Sequence, residues 1–429
     1  MMNRIANRRR RALLAAATAA ATTAALATPR RVHAAEPPVL VIGGGFGGAT
    51  AAKQLRLASK GTQAVTLIEP AAAYVSCPLS NLVVGGLREI GEQTLSYDGL
   101  RRHGVVIVAR AASAIDPQRR LVTLDDGSTL PYRRLILAPG IDFDFDAIDG
   151  LAAAHASGRV LHAWKAGPET VALRAQLEAM RDGGVFVLAI PELPIRCPPA
   201  PYERACLVAA WLKAHKPRSK VIVLDANPDI AAEAGSFKRA FRELYPGLVD
   251  YRPQEKVVGV DGAAGVLKLE VDDDVRGDVL NVLAPMRAGA IATRTGLATI
   301  NQRWCGVDFL TFESAIAPDI HVIGDAIQDA SAMPKSGHVA NRQAKVAAAA
   351  VLARIAGRDP DPAPVLESAC FSFVSETAAI RFSAVHRYDP QHRTYVADSA
   401  GAAGSNGFDA AAAADAKSWA KAIWADSFG

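Results

Sequence analysis

The chain has 429 residues, half of them hydrophobic and 21% charged, which excludes a disordered or fibrous protein and exceeds what one simple core needs. The formal charge of +5 does not signal nucleic-acid binding: seven arginines fall in residues 1–34, and without them acidic residues slightly outnumber basic ones. Of the five cysteines, none stands in C-x-x-C spacing, which excludes a cysteine-clustered metal site and a c-type haem attached to this chain.

The N-terminal segment reads as an export signal over residues 1–34. Arg8 to Arg11 form a charged head, Ala12 to Thr28 a weakly apolar stretch, and Val32-His33-Ala34 a small-residue cleavage site. Adjacent arginines before a mildly apolar run are the twin-arginine pattern, so a periplasmic mature protein is expected. The stretch is too short and too soft for a span of about 20 apolar residues, and no later segment is better suited, so no stable membrane insertion is expected.

Val39-Leu40-Val41-Ile42 predicts a buried strand entering Gly43-Gly44-Gly45-Phe46-Gly47-Gly48, with an Ala-rich helix to about Ser59, a strand at Val65 to Ile68, and Glu69 at its end. This is a dinucleotide-binding βαβ unit: Gly43, Gly45 and Gly48 permit the tight turn around Phe46, the helix N-terminus supports a pyrophosphate, and Glu69 accepts from a ribose. Leu135 to Gly140 and His321 to Ala326 are two more strands ending in glycine turns. Together the three motifs resemble the two-dinucleotide-binding flavoproteins. That resemblance implies FAD, with Gly140, Gly324 and Asp325 at the cofactor and a helix from about Ser336 to Ile355 aimed at the flavin.

A second Rossmann-like unit follows, with strands at Val185 to Ile190 and Val221 to Asp225. Its first loop is Pro191-Glu192-Leu193-Pro194-Ile195-Arg196-Cys197-Pro198-Pro199, and prolines lack the N–H groups that cradle a pyrophosphate, which argues against NADH. Beyond about Asp359 the composition shifts to Pro and Asp. The tail then carries strands at Ile380 to Tyr388 and Thr394 to Ala397, a small-residue loop over Ser399 to Gly407, and a last helix with Trp419, Ile423 and Trp424. The expected architecture is α/β: an FAD-binding domain from 36–150 and 280–357, a second Rossmann-like domain over 151–279 without an NAD-binding loop, and a small C-terminal α+β module over 358–429.

Four segments carry a closer likeness: Cys77-Pro78-Leu79-Ser80-Asn81, Arg196 to Arg204, Thr311-Phe312-Glu313-Ser314, and Met333-Pro334-Lys335-Ser336-Gly337. Through them the chain resembles the flavoprotein subunit of flavocytochrome c sulfide dehydrogenase, and more distantly the sulfide:quinone oxidoreductases. The resemblance implies a thioether from Cys77 to FAD, a redox-active disulfide between Cys197 and Cys370, and a small inorganic sulfur substrate. It also implies electron transfer to a separate c-type cytochrome subunit. Sulfide is a good nucleophile and a disulfide its natural electrophile, which agrees with that chemistry. Glu203, six residues after Cys197, is the candidate acid/base, and Lys335 a candidate partner for anionic flavin. Cys206 and Cys305 read as buried small hydrophobes, and His103, His162 and His215 show no metal-ligand pattern. The alternatives are a sulfide:quinone oxidoreductase and a non-catalytic FAD-containing sulfur-binding protein.

Overall fold

Runs of Val, Ile and Leu without polar interruption make strands buried on both faces, and such strands belong to parallel sheets covered by helices. The computed structural model, which describes residues 36–330, 332–404 and 407–429, has two of them. The expected export signal lies outside the described residues. In the first sheet Val39–Ile42 is central, with Val65–Ile68 and Arg134–Leu137 parallel on either side. Val106–Val108 and Ile320–Val322 extend it in parallel, and Glu313–Ser314 and Val307–Asp308 form an antiparallel edge.

The first strand passes through the glycine loop into helix Phe46–Ala58. Two glycines there are required by contact: Gly43 has φ +98°, and a Cβ on Gly48 would stand 1.8 Å from the Gly43 carbonyl oxygen. Helix Gly337–Ile355 packs on Phe46–Ala58. Its N-cap is Ser336, whose hydroxyl accepts from the Val339 N–H.

The second sheet is five-stranded and parallel, in the order Val160–Leu161, Val279–Val282, Val185–Ile190, Lys220–Asp225, Val249–Pro253. The boundary expected between 279 and 280 falls inside a strand, because Val279–Val282 is a four-residue buried run that pairs with this sheet. The chain leaves the first sheet and returns to it through an antiparallel pair, Ile141–Phe143 with Met286–Ala288. One apolar cluster runs through both sheets, so the two Rossmann-like halves form one compact unit over Pro38–Gly429.

The tail is a three-stranded antiparallel sheet, Val365–Phe373, Ala379–Asp389 and Thr394–Gly404, followed by helix Ala410–Phe428. Residues Ser399 to Gly404, expected as a loop, continue the third strand: past an irregularity in register, Gly404 and Ala403 pair with Phe382 and Ser383. A second apolar cluster of Leu79, Leu82, Leu207, Phe373 and the alanines of the final helix fastens this module to the body. Beyond it, Phe428 stacks on Tyr74 at 5.2 Å and meets Phe46 at 5.7 Å, while the Thr50 hydroxyl donates to Ser427 Oγ at 2.9 Å. No helix among the described residues is long and apolar enough to cross a membrane.

Candidate active site

The C-terminal edges of the first sheet open into a cavity of about 680 Å³, within the usual range for a bound small molecule or cofactor. Gly43, Gly45, Phe46, Glu69, Cys77, Gly140, Gly324 and Asp325 all line it. Gly48 does not; its part is to let the helix pass close to the turn. Glu69 accepts from the Gly44 N–H at 2.6 Å and the Ala71 N–H at 2.9 Å, which fixes its carboxylate beside the loop. Asp325 Oδ1 is buried without a hydrogen-bond partner. An orphaned buried carboxylate oxygen is costly unless a ligand satisfies it. Burial pushes its pKa up, with Arg196 and Lys335 opposing. The loop, the helix end at Gly337 and this unmet oxygen fit a phosphate- and hydroxyl-bearing dinucleotide such as FAD.

The same cavity is walled by Cys197, Cys370 and Glu203. Cys197 has φ +55° in the loop after Val185–Ile190, and its N–H donates to the Lys335 carbonyl at 2.7 Å. Cys370 comes from the middle of Val365–Phe373, paired with Phe382. The two stand as free thiols rather than the expected disulfide. Burial holds the Cys197 thiol well above its ordinary pKa, and Cys370 and then Glu203 add to this. Cys370 is pushed up to about 12 by burial, then by Glu233 and Glu203.

Glu203 lies in the first turn of helix Ala200–His215 and is buried. Its Oε2 accepts from Asn81 Nδ2 at 2.7 Å and its Oε1 from the Phe373 N–H at 2.8 Å. Burial raises its pKa to about 7, against the pull of these two hydrogen bonds and of Arg204. Asn81 also accepts from Arg204 Nε at 2.9 Å, so one amide bridges acid and base. Arg204 is fully engaged: its other nitrogens donate to Asn281 Oδ1 and to the carbonyls of His162 and Ala163. It also lies over the Trp164 ring at 5.0 Å.

Comparison with known proteins agrees with this geometry over three segments. Residues 170–284 match the family described as sulfide dehydrogenase (flavocytochrome c) flavoprotein chain, central, and residues 362–428 match flavocytochrome c sulphide dehydrogenase, flavin-binding. Residues 37–167 match pyridine nucleotide-disulphide oxidoreductase. Two of the three matches are therefore to flavocytochrome c sulfide dehydrogenase flavoproteins, the family this chain is similar to across its central and C-terminal parts. The mitochondrial sulfide:quinone oxidoreductase of Mus musculus is 25% identical over 292 residues, 65% of this chain and 63% of that protein, so the match spans less than two thirds of the relative. The sulfide:quinone oxidoreductase structure from Aquifex aeolicus superposes with a TM-score of 0.75 at 18% identity, covering 91% of each chain. A ferredoxin reductase structure from Rhodopseudomonas palustris gives 0.61 at 17% identity, covering 82% of this chain and 88% of that one. The two structural likenesses show the shared fold.

Among the residues that the family resemblance singled out, Cys77, Cys197, Cys370, Glu203 and Asp325 meet in the cavity, and Lys335 does not. The Lys335 ammonium is turned away to Asp329 at 3.0 Å, the Ile327 carbonyl and the Trp304 ring at 4.0 Å. Asp329 and Ile327 lie on the loop just before it; the Lys335 backbone carbonyl holds Cys197, and its ammonium acts on the site only through space, at Asp325. Three other cationic side chains line the cavity, Lys165, Arg196 and Arg204; of these Arg196 donates to the Trp164 carbonyl and acts on Asp325. Cys206 and Cys305 are buried in the apolar core as expected.

The family motifs held no hint of a His155–Glu169–His162 cluster, whose ligating atoms lie within 4.8 Å of one another. His155 sits in helix Leu151–Ala156, His162 in the loop after strand Val160–Leu161 and Glu169 at the start of helix Pro168–Ala179, so they share no helical face and sequence spacing hides them. Each polar atom named here is already engaged: Glu169 Oε1 with His155 Nε2 at 2.6 Å, Oε2 with the Ala163 N–H at 2.9 Å, and His162 Nδ1 with the Trp164 N–H at 2.9 Å. Burial brings His162 down to about 4, and the cluster braces the turn that presents Trp164 to the cavity.

Proposed function

We propose that this chain oxidises hydrogen sulfide to sulfur or polysulfide at Cys197 and Cys370, and that electrons pass through FAD to a separate c-type cytochrome subunit. The observation carrying this reading is convergence: a loop of the second sheet and a strand of the C-terminal module bring two cysteines to the cavity built by the glycine loop. On this reading the two sulfurs join as a disulfide when the enzyme is oxidised and part as thiols when it is reduced. HS⁻ attacks one sulfur, a new S–S bond forms, the Cys197–Cys370 bond breaks, and the other sulfur leaves as a thiolate. A thiolate is costly in so buried and acid-flanked a place, so the leaving sulfur takes a proton. Glu203, with its pKa raised to about 7 and both oxygens held, is placed to give that proton and to recover one.

FAD, when bound, supplies a two-electron acceptor able to release electrons singly to a haem partner. Glu69 and the glycine loop would hold its ADP part, and Asp325 with the Gly337 helix end its phosphate and ribityl side. Cys77, on the cavity wall 3.7 Å from the Trp164 carbonyl, would carry the covalent link. Arg196 would favour negative charge beside the ring. NADH is disfavoured as donor because the acid ending strand Lys220–Asp225 of the second sheet, Asp225, is fully buried and already accepts from the hydroxyls of Tyr202 at 2.6 Å and Tyr251 at 3.0 Å. Export through the N-terminal signal would place this chemistry in the periplasm.

The test is an anaerobic sulfide titration followed by flavin absorbance, with Cys197→Ser beside the wild type. Bleaching in the wild type and none in the variant is expected; equal bleaching refutes the thiol route. Acid precipitation checks the covalent link, since a pellet that loses its yellow colour rules out Cys77 as anchor. A quinone acceptor is the second reading, favoured by the mouse relative. Reduction of soluble cytochrome c but not of a quinone separates the two.

A further inference from the structure

One carboxyl at the cysteine end has no part in the scheme above. Glu233 directly precedes helix Ala234–Leu244 with a left-handed backbone, φ +58°, a conformation that disfavours a residue with a Cβ. Its carbonyl accepts from the N–H groups of Ser236 at 3.0 Å and Phe237 at 3.1 Å, which holds the turn. The side chain points inward: Oε2 is buried without a hydrogen-bond partner, although the residue keeps some surface toward solvent. Helix Ala200–His215 sets Glu203 against it, and strand Val365–Phe373 sets Cys370 and the hydroxyl of Ser372 there. Ser372 also lines the cavity, and Glu233 does not. On its own segment Asp229 is paired with Lys238 at 2.6 Å. Burial and then the charge of Glu203 push Glu233 up to about 7, with the Ser372 hydroxyl opposing. Two such carboxyls do not both ionise readily near neutrality, so a proton gained by one is readily shed by the other.

Each sulfide converted to elemental sulfur yields two electrons and one proton, HS⁻ → S + H⁺ + 2e⁻. The electrons leave through the flavin, and the proton has to cross a buried shell. We propose that Glu233 is the proton outlet of the cysteine site, receiving the proton from the cavity through the Ser372 hydroxyl and passing it to solvent while Glu203 resets. Glu233 acts through these groups and is a positioning residue for the proton. The proposal rests on the sulfide reading.

The experiment compares wild type, Glu233→Gln and Ser372→Ala as holoprotein, with Cys197→Ser as the control for the sulfide reading itself. The first readout needs no turnover: the reduced protein is alkylated across pH 7–10 and Cys370 labelling is followed by mass spectrometry. Removing the Glu233 charge makes the Cys370 thiol more acidic, so its labelling curve moves to lower pH and labelling at a fixed pH rises severalfold to about tenfold. Ser372→Ala keeps the carboxylate and labels like wild type. The second readout is the pH profile of flavin reduction by sulfide. Both variants are expected to lose the limb near neutrality and to regain rate with added imidazole or formate as a mobile proton carrier. Glu233→Gln with the wild-type labelling curve and profile overturns the proposal, as does Ser372→Ala with an unaltered profile should Glu233→Gln not fold. Bleaching of Cys197→Ser by sulfide would instead reject the sulfide reading.

Discussion

The two Rossmann-like halves begin alike and part at one turn. After Val39–Ile42 come Gly43-Gly44-Gly45-Phe46-Gly47-Gly48, where the backbone itself lines the cavity; after Val185–Ile190 come prolines and Cys197, where side chains do. One strand further on, the first half ends in Glu69, which faces the cavity, and the second in Asp225, which two tyrosines and Asn227 have tied into the core. The same βαβ geometry thus carries a turn that fits a dinucleotide in one copy and a cavity-lining cysteine in the other. The difference is in which turn keeps free N–H groups and which gives them up to proline.

The comparison breaks most sharply at its two turns. Cys197→Ser is expected to slow flavin reduction by sulfide at least about a thousandfold, as when one member of a concerted unit is removed, with flavin content intact in the visible spectrum. Gly48→Ala is the mirror experiment. A Cβ 1.8 Å from the Gly43 oxygen forces the turn open, so purified protein should carry less than about a tenth of its flavin by absorbance ratio while the second sheet still folds.

Glu203→Gln sharpens it more gently. Flavin reduction should fall about a hundredfold, in the range of a lost general acid. Stability changes with a definite sign: the folded pKa of Glu203 is raised from 4.5 to about 7, so the stability held by its protonated form is present below pH 4.5 and lost as pH rises through 7. Melting curves should therefore show the variant gaining on the wild type between those values, by up to about 3 kcal/mol, and not beyond. Asp225→Asn is the smallest change. It weakens charge-assisted hydrogen bonds from Tyr202 and Tyr251 and should cost about 1–3 kcal/mol in denaturant unfolding, with sulfide reactivity and flavin content unaltered. A loss of flavin in that variant would mean the second half still handles a nucleotide.

The glycine turn, the proline turn and the strands around them were legible in the sequence because both residue types act on the backbone where they stand. Lys335 was not. Its position before the flavin-facing helix is right, yet a four-carbon stem allows the ammonium to settle on Asp329 and Trp304 instead. Arg196 stood in a family motif, but only the fold shows its guanidinium on the cavity wall. Glu233 was hidden altogether, since its meaning depends on a left-handed turn and on a strand that arrives from the far end of the chain. The strand at Val279–Val282 was split because composition cannot say which of two adjoining sheets a short apolar run will join.

Thr50, at the start of the glycine-loop helix, is held by Ser427, 377 residues further along. Contacts of such span form slowly, and a ribosome delivers the helix long before its clasp. During synthesis the nascent dinucleotide cradle therefore waits ajar, with Phe46 and Tyr74 bare until Phe428 emerges to cover them. A chain cut short before Phe428 is therefore expected to leave that cradle uncovered.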